Sequence, residues 1–158
     1  MRYEPSAPEV VEAMLQLAAV RADDVVYDLG CGDGRIVIAA AKRGVRGVCV
    51  DIDPQRIAES RENARKAGVA ERIEFVEEDL MKVPLANATV VMLFLSPHLN
   101  RTLRPRLQRE LPPGARVVSH WHSMGDWPPQ RTLHVKPKND WRGRPVYLWV
   151  IPSGPRPG

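Results

Sequence analysis

The sequence predicts an α/β fold: one seven-stranded, mostly parallel sheet with an antiparallel last strand, compact and with abbreviated crossovers. Three stretches carry that prediction. Val25-Val26-Tyr27-Asp28-Leu29 has strand character and runs into Gly30-Cys31-Gly32-Asp33-Gly34-Arg35, with glycine at alternate positions. Ile36 to Arg43 then reads as a helix stopped by Gly44. Gly47-Val48-Cys49-Val50-Asp51 reads as a second strand ending in an acid. Arg72-Ile73-Glu74-Phe75-Val76 is a third, followed by Glu77-Glu78-Asp79-Leu80. Strands that alternate with helices build a parallel sheet.

The other elements follow in chain order. Two prolines make Met1 to Pro8 an extended lead-in. Ser6 is placed to cap the next helix, with Pro8 in its first turn and Glu9 at the capping-box position. Val10, Val11, Met14, Leu15, Leu17 and Ala18 give that helix its apolar stripe. Asp53-Pro54 starts a helix through Ile57, Arg61 and Ala64 that Gly68 ends. Between Asp79 and Asn87 there is too little chain for a full crossover helix. Ala88 to Leu95 is the most continuously apolar strand, which suits the buried centre of a parallel sheet. A helix from Leu99 to Leu111, basic on its outer face, is stopped by Pro112-Pro113-Gly114, and Ala115 to Ser119 forms the fifth strand. Thr132 to Lys136 and Val146 to Ile151 read as an antiparallel pair joined by a polar turn around Lys138-Asn139-Asp140.

At 158 residues the chain is expected to be one domain over 1–152, with a disordered tail at 153–158. No apolar run approaches the ~20 residues of a membrane span, and the N-terminus lacks a signal peptide's apolar region. The expected location is the cytoplasm. In that reducing compartment Cys31 and Cys49 are expected as free thiols, and no Cys/His spacing suggests a metal site. The net charge of +4 hides an asymmetry: residues 1–100 carry 12 Lys/Arg against 16 Asp/Glu, residues 101–158 carry 11 against 3. The basic C-terminal part favours an acidic partner, although most of its arginines read as solvated surface.

A strand, a Gly-rich turn and a helix together present backbone amides to a nucleotide-like ligand. Spacing and charge select the ligand. The dinucleotide fingerprint G-x-G-x-x-G fails because Arg35 stands where its third glycine belongs. Asp28 and Asp33 would repel a pyrophosphate, but they suit S-adenosylmethionine (SAM), whose ammonium and sulfonium are cationic. Asp51, about 20 residues past the loop, has the offset of a carboxylate that takes ribose hydroxyls. Asp28, Gly30, Cys31 and Gly32 are therefore candidates for the cofactor's amino-acid end, with Asp51 and its neighbour Ile52 for the ribose side.

The pattern Asp28-x-Gly30-x-Gly32-x-Gly34 resembles the first motif of class I SAM-dependent methyltransferases. From Pro5 to Pro152 the chain resembles one group within that class: bacterial and archaeal relatives of the lysine methyltransferases acting on the c-subunit of ATP synthase and on the adenine nucleotide translocase. The matching residues are Pro5 to Val11, Asp28 to Ala41 with its distinctive Gly32-Asp33-Gly34-Arg35-Ile36-Val37 run, Glu110 to Ser119, and Asp126-Trp127. The resemblance implies a Rossmann-like three-layer sandwich and SAM as methyl donor, leaving S-adenosyl-L-homocysteine. It places Asp79 and Leu80 against the adenine. Tyr3 and Leu95 join the expected cofactor contacts at the pocket's lid and at the end of the fourth strand. It does not carry over the lysine substrate, and the His120-Trp121-His122 cluster departs from the group.

Methyl transfer is an in-line displacement, so the enzyme positions the reactants and excludes water. A base is needed only if the acceptor arrives protonated, as a lysine ammonium does. Glu4, His98, His120, His122 and Asp126 are candidates, with His120, His98 and Glu4 foremost and His120 preferred because it directly ends a strand. Leu95-Ser96-Pro97-His98 supplies no acid or amide where adenine- and glutamine-modifying relatives carry one, which argues against those acceptors. Three activities remain open: a methyltransferase for a protein side chain or small molecule, a nucleic-acid methyltransferase (less favoured, as no added RNA-binding platform is present), and a SAM-binding sensor or assembly protein without catalysis.

Overall fold

The structure, a computed structural model, describes residues 6–138 and 140–153. Its strands are β1 (Val25–Leu29), β2 (Arg46–Asp51), β3 (Ile73–Glu77), β4 (Val90–Leu93), β5 (Arg116–His120), β6 (Arg131–Val135) and β7 (Arg144–Val150). They form one sheet in the order β3-β2-β1-β4-β5-β7-β6. β1 to β5 are mutually parallel, and β7 runs antiparallel to both β5 and β6. The helices are α1 (Pro8–Leu17), α2 (Arg35–Lys42), α3 (Pro54–Lys66) and α4 (Pro97–Glu110).

Strand alternation assigns the two faces. Val26, Val90, Met92, Val118 and Val146 pack with Val10, Met14 and Leu15 of α1 and with Ile36 and Ala40 of α2. Cys49 and Ile73 continue that face beneath Ile57 and Ala64 of α3. The opposite residues, Leu29, Val50, Val91, Leu93, Val117 and Trp149, pack on Leu103 and Leu107 of α4. The result is three layers, with α1–α3 on one side and α4 nearly alone on the other. The crossover between β3 and β4 is a single 3-10 turn, Leu80–Lys82, as the short chain there requires. Burying each large apolar side chain of α1 contributes about 1.5–3 kcal/mol, an upper bound against an extended unfolded chain. No helix among the described residues is long and apolar enough to cross a membrane.

Boundaries move by one or two residues where capping chemistry decides. Asp53 caps α3 by accepting from Gln55 N, with Pro54 behind it, and Gly68 follows the helix at φ +73°. α4 starts at Pro97 rather than Leu99, because Ser96 caps it by accepting from Leu99 N at 3.1 Å. β4 spans Val90–Leu93, shorter than its apolar run. Ser6 does not cap α1. Ala7 holds that position in extended conformation, one residue later, and Ser6 Oγ instead meets His120 Nδ1 at 2.9 Å. Glu9 accepts from Lys138 N at 2.7 Å.

Cys31 and Cys49 are joined by a disulfide, not free. The pairing follows from adjacency. β1 and β2 are parallel neighbours with Asp28 opposite Cys49, and the chain after β1 folds back so that Gly30 N and Cys31 N both donate to Val50 O. That brings the two cysteine Cα atoms to 5.3 Å. Ser153 excepted, the expected disordered tail lies outside the described residues.

Candidate active site

The glycine turn is built for close approach to its neighbours. Gly30 has φ +88°, and a Cβ there would lie 3.2 Å from Leu95 Cδ2. Gly34 caps α2 at φ +84°, where a Cβ would meet that of Ser60 at 2.9 Å. Asp51 at the end of β2 holds the turn. One carboxylate oxygen accepts from Gly32 N and the other from Asp53 N, each at 3.0 Å. Asn63 of α3 secures the far side by donating to Asp33 O at 2.9 Å.

A cavity of about 830 Å³ opens over the C-terminal ends of β1, β2, β4 and β5. That is where an open α/β sheet takes its ligand. Its lining includes six carboxylates (Asp28, Asp33, Asp51, Asp53, Glu78 and Asp79) against two guanidiniums, Arg35 and Arg56. Asp28 is buried. Its carboxyl is pushed up to about 8, first by burial and then by the charges of Asp51 and Asp33. A cation placed among these three acids would relieve that repulsion, so the residues present fit the ammonium and sulfonium of SAM. Asp79 accepts from Met81 N at 2.9 Å and fixes the turn that presents Leu80.

The other wall is aromatic. Phe94, Leu95, Ser96 and Pro97 follow β4, and Trp121 and His122 follow β5; all six line the cavity. Trp121 is a non-glycine residue at φ +75°, a conformation that side chains disfavour. Two fully buried polar residues fix the next carbonyl: His122 O accepts from Ser119 Oγ at 2.6 Å and from Asn100 Nδ2 at 3.1 Å. Burial holds the His122 imidazole below the ordinary histidine range, so it is neutral near pH 7.

The residues expected from sequence differ in where the structure puts them. Asp28, Gly30, Asp51, Ile52, Asp79, Leu80 and Leu95 line the cavity. Cys31 and Gly32 belong to the turn beneath it without lining it, Cys31 being committed to the disulfide. Tyr3 and Glu4 lie outside the described residues. The preferred base, His120, is not among the lining residues. It is 2% exposed, on the α1 face of β5, stacked on Phe94 at 4.0 Å between ring centroids, and its Nε2 has no hydrogen-bond partner among the described residues. Burial, then the charge of Arg144, then His122 lower its pKa to about 4. His98 is exposed on the first turn of α4, and Asp126 is exposed and ion-paired with Arg104. Sequence reasoning missed Phe94 as a lining residue, and Arg35, which braces Asp33 and donates to Ser6 O at 2.8 Å. Arg35's place in the glycine motif was the available signal.

The model of the ANTKMT methyltransferase domain matches residues 28–131, which contain the glycine turn, the acid-ended strands and the aromatic wall. The chain belongs to that family. A protein-lysine N-methyltransferase from Saccharolobus islandicus is 44% identical over 151 residues, covering 94% of this chain and 92% of the relative. The adenine nucleotide translocase lysine N-methyltransferase of Mus musculus is 38% identical over 128 residues, covering 80% of this chain, but the match spans only 56% of that relative's length. A crystal structure of an RNA methyltransferase from Salinibacter ruber in complex with S-adenosyl-L-homocysteine superposes with a TM-score of 0.88 at 48% identity, covering 96% of each chain. This family member is a SAM-dependent methyltransferase with the Rossmann-like sheet of its relatives.

Proposed function

We propose that this chain methylates lysine side chains of proteins. The observation that carries the reading is His122, a neutral imidazole in an aromatic wall, facing the same cavity as the acidic cofactor side. A lysine reaches an active site as an ammonium. The carboxylates attract it and would repel a nucleic-acid backbone, and His122 can take its proton. When bound, SAM supplies an electrophilic methyl group on sulfur. The chain's residues then do the rest. Asp28 would face the cofactor's cationic end, Asp51 would accept from its ribose, and Asp79 with Leu80 would flank its base. His122 would take the proton from the lysine nitrogen, leaving its lone pair free to receive the methyl group that SAM would supply. Phe94 keeps water from the nitrogen. His122 replaces His120 in the role of base, because the strand turns His120 into the protein layer. The names of the Saccharolobus and mouse relatives support a protein acceptor.

A second reading, RNA as acceptor, is favoured by the Salinibacter relative's name and by the excess of Lys/Arg over residues 101–158. Tritiated SAM supplied with fractionated protein, RNA and metabolite pools decides between them. Label that protease removes, and that amino-acid analysis recovers as methyl-lysine, is the expected result. Label sensitive to RNase and not to protease would overturn the lysine reading.

A further inference from the structure

Trp121 is over-constrained for a surface residue. Its backbone sits in the left-handed region, and its N–H donates to Pro145 O on β7 at 2.7 Å. The Arg144 guanidinium lies 3.9 Å over the indole centroid. Arg144 is itself buried, and its Nε donates to Asp140 Oδ2 at 2.7 Å; Asp140 also accepts from Arg142 N at 3.0 Å. His122 stacks beside the ring at 5.9 Å. These contacts hold a 36% exposed indole at the mouth of the cavity, on the side away from Asp51 and Ile52. A left-handed backbone is disfavoured for so bulky a side chain and persists only where its surroundings hold it. Exposed large hydrophobic side chains are few among the described residues, and besides Trp121 only Ile52 lines the cavity.

We propose that Trp121 is the acceptor platform: its indole, clamped by Arg144 and Asp140, carries the aliphatic stem of the incoming lysine. This rests on the lysine reading above. Four methylenes need an apolar surface to leave water, and a flat, immobilised ring supplies it without losing side-chain freedom on binding. Trp121 is therefore a positioning residue that sets acceptor affinity and leaves the cofactor side untouched.

The test uses a lysine-rich peptide as acceptor and the same peptide with acetylated lysines as control. Trp121→Asn removes the indole while tolerating the left-handed backbone, so the fold is retained. It is expected to raise KM for the peptide about tenfold, with kcat and the SAM Kd each within about twofold of the unmodified protein. Trp121→Phe should recover most of the loss, and Asp140→Asn should raise KM less than Trp121→Asn. Unchanged peptide KM in Trp121→Asn overturns the platform, as does an equal loss of SAM affinity, which would mark a structural role. If the unmodified protein leaves the free peptide unlabelled, the lysine reading falls, and the platform with it.

Discussion

Two aspartates four residues apart, Asp24 just before β1 and Asp28 within it, are both nearly inaccessible to solvent, at 4% and 3% exposure, yet they are treated in opposite ways. At the N-terminal edge of the sheet Asp24 is fully engaged. It pairs with Arg116, accepts from Thr89 Oγ1 at 2.8 Å and takes Arg21 N at 2.7 Å. Burial works to raise its pKa, but these partners outweigh it and hold the carboxyl below the ordinary range. At the C-terminal edge Asp28 is buried beside like charges and is held above it. One edge is a finished structure. The other keeps a buried carboxyl beside like charges, a repulsion that a bound cation would relieve. Buried charge marks stability where it is matched and function where it is not.

The largest expected effect breaks the finished edge. Asp24→Ala strands the Arg116 guanidinium and should cost about 3–5 kcal/mol in denaturant unfolding, with SAM affinity of the folded protein unchanged by calorimetry. A cost under about 1 kcal/mol would show that the Ala18 and Ala19 carbonyls suffice for the Arg116 guanidinium. The next effect belongs to the other edge. The unfolded chain protonates His120 near 6.5 and the folded one only near 4. That contribution to stability is present in full above pH 6.5 and falls away as the pH drops through 4, reaching about 3 kcal/mol. His120→Gln should flatten the acid limb of stability against pH.

Asp28 sharpens the comparison because its sign is reversed. The folded protein binds this proton more tightly than the unfolded chain, so the favourable contribution is complete below about 3.8 and is lost as pH rises through about 8. A cationic cofactor prefers the ionised carboxylate. SAM affinity should therefore rise with pH up to about 8, by up to about tenfold per unit, with proton release on binding. Asp28→Asn should be flat over that range. The smallest effect is at Asp51, where alanine removes a charged acceptor and frees Gly32 N and Asp53 N. SAM should weaken by about 2 kcal/mol, and unchanged affinity would take Asp51 out of the site.

Much of this was legible in the residues. The glycine turn, three acid-ended strands and the antiparallel closing pair carry local signals of spacing and periodicity, and each element is found within about two residues of its expected place. What was illegible depends on contacts between distant segments. The Cys31–Cys49 bridge needs the knowledge that β1 and β2 are neighbours. Ser6 fits a cap by its sequence neighbours, yet its partner is His120, 114 residues away. Choosing between His120 and His122 turns on a single left-handed residue, Trp121, and no pattern of residue types announces a tryptophan in that conformation.

The disulfide also changes what the chain is as a connected object. It closes a covalent ring from Cys31 through α2 to Cys49, and the ring's outermost point is the exposed turn at Lys42, Arg43 and Gly44. A trypsin cut there opens the ring but severs nothing from the molecule. The glycine turn and β2 stay attached through sulfur, and the nicked protein runs as one species until reductant parts it into two. Continuity between the glycine turn and β2 is thus carried twice, once by peptide bonds and once by the cysteines.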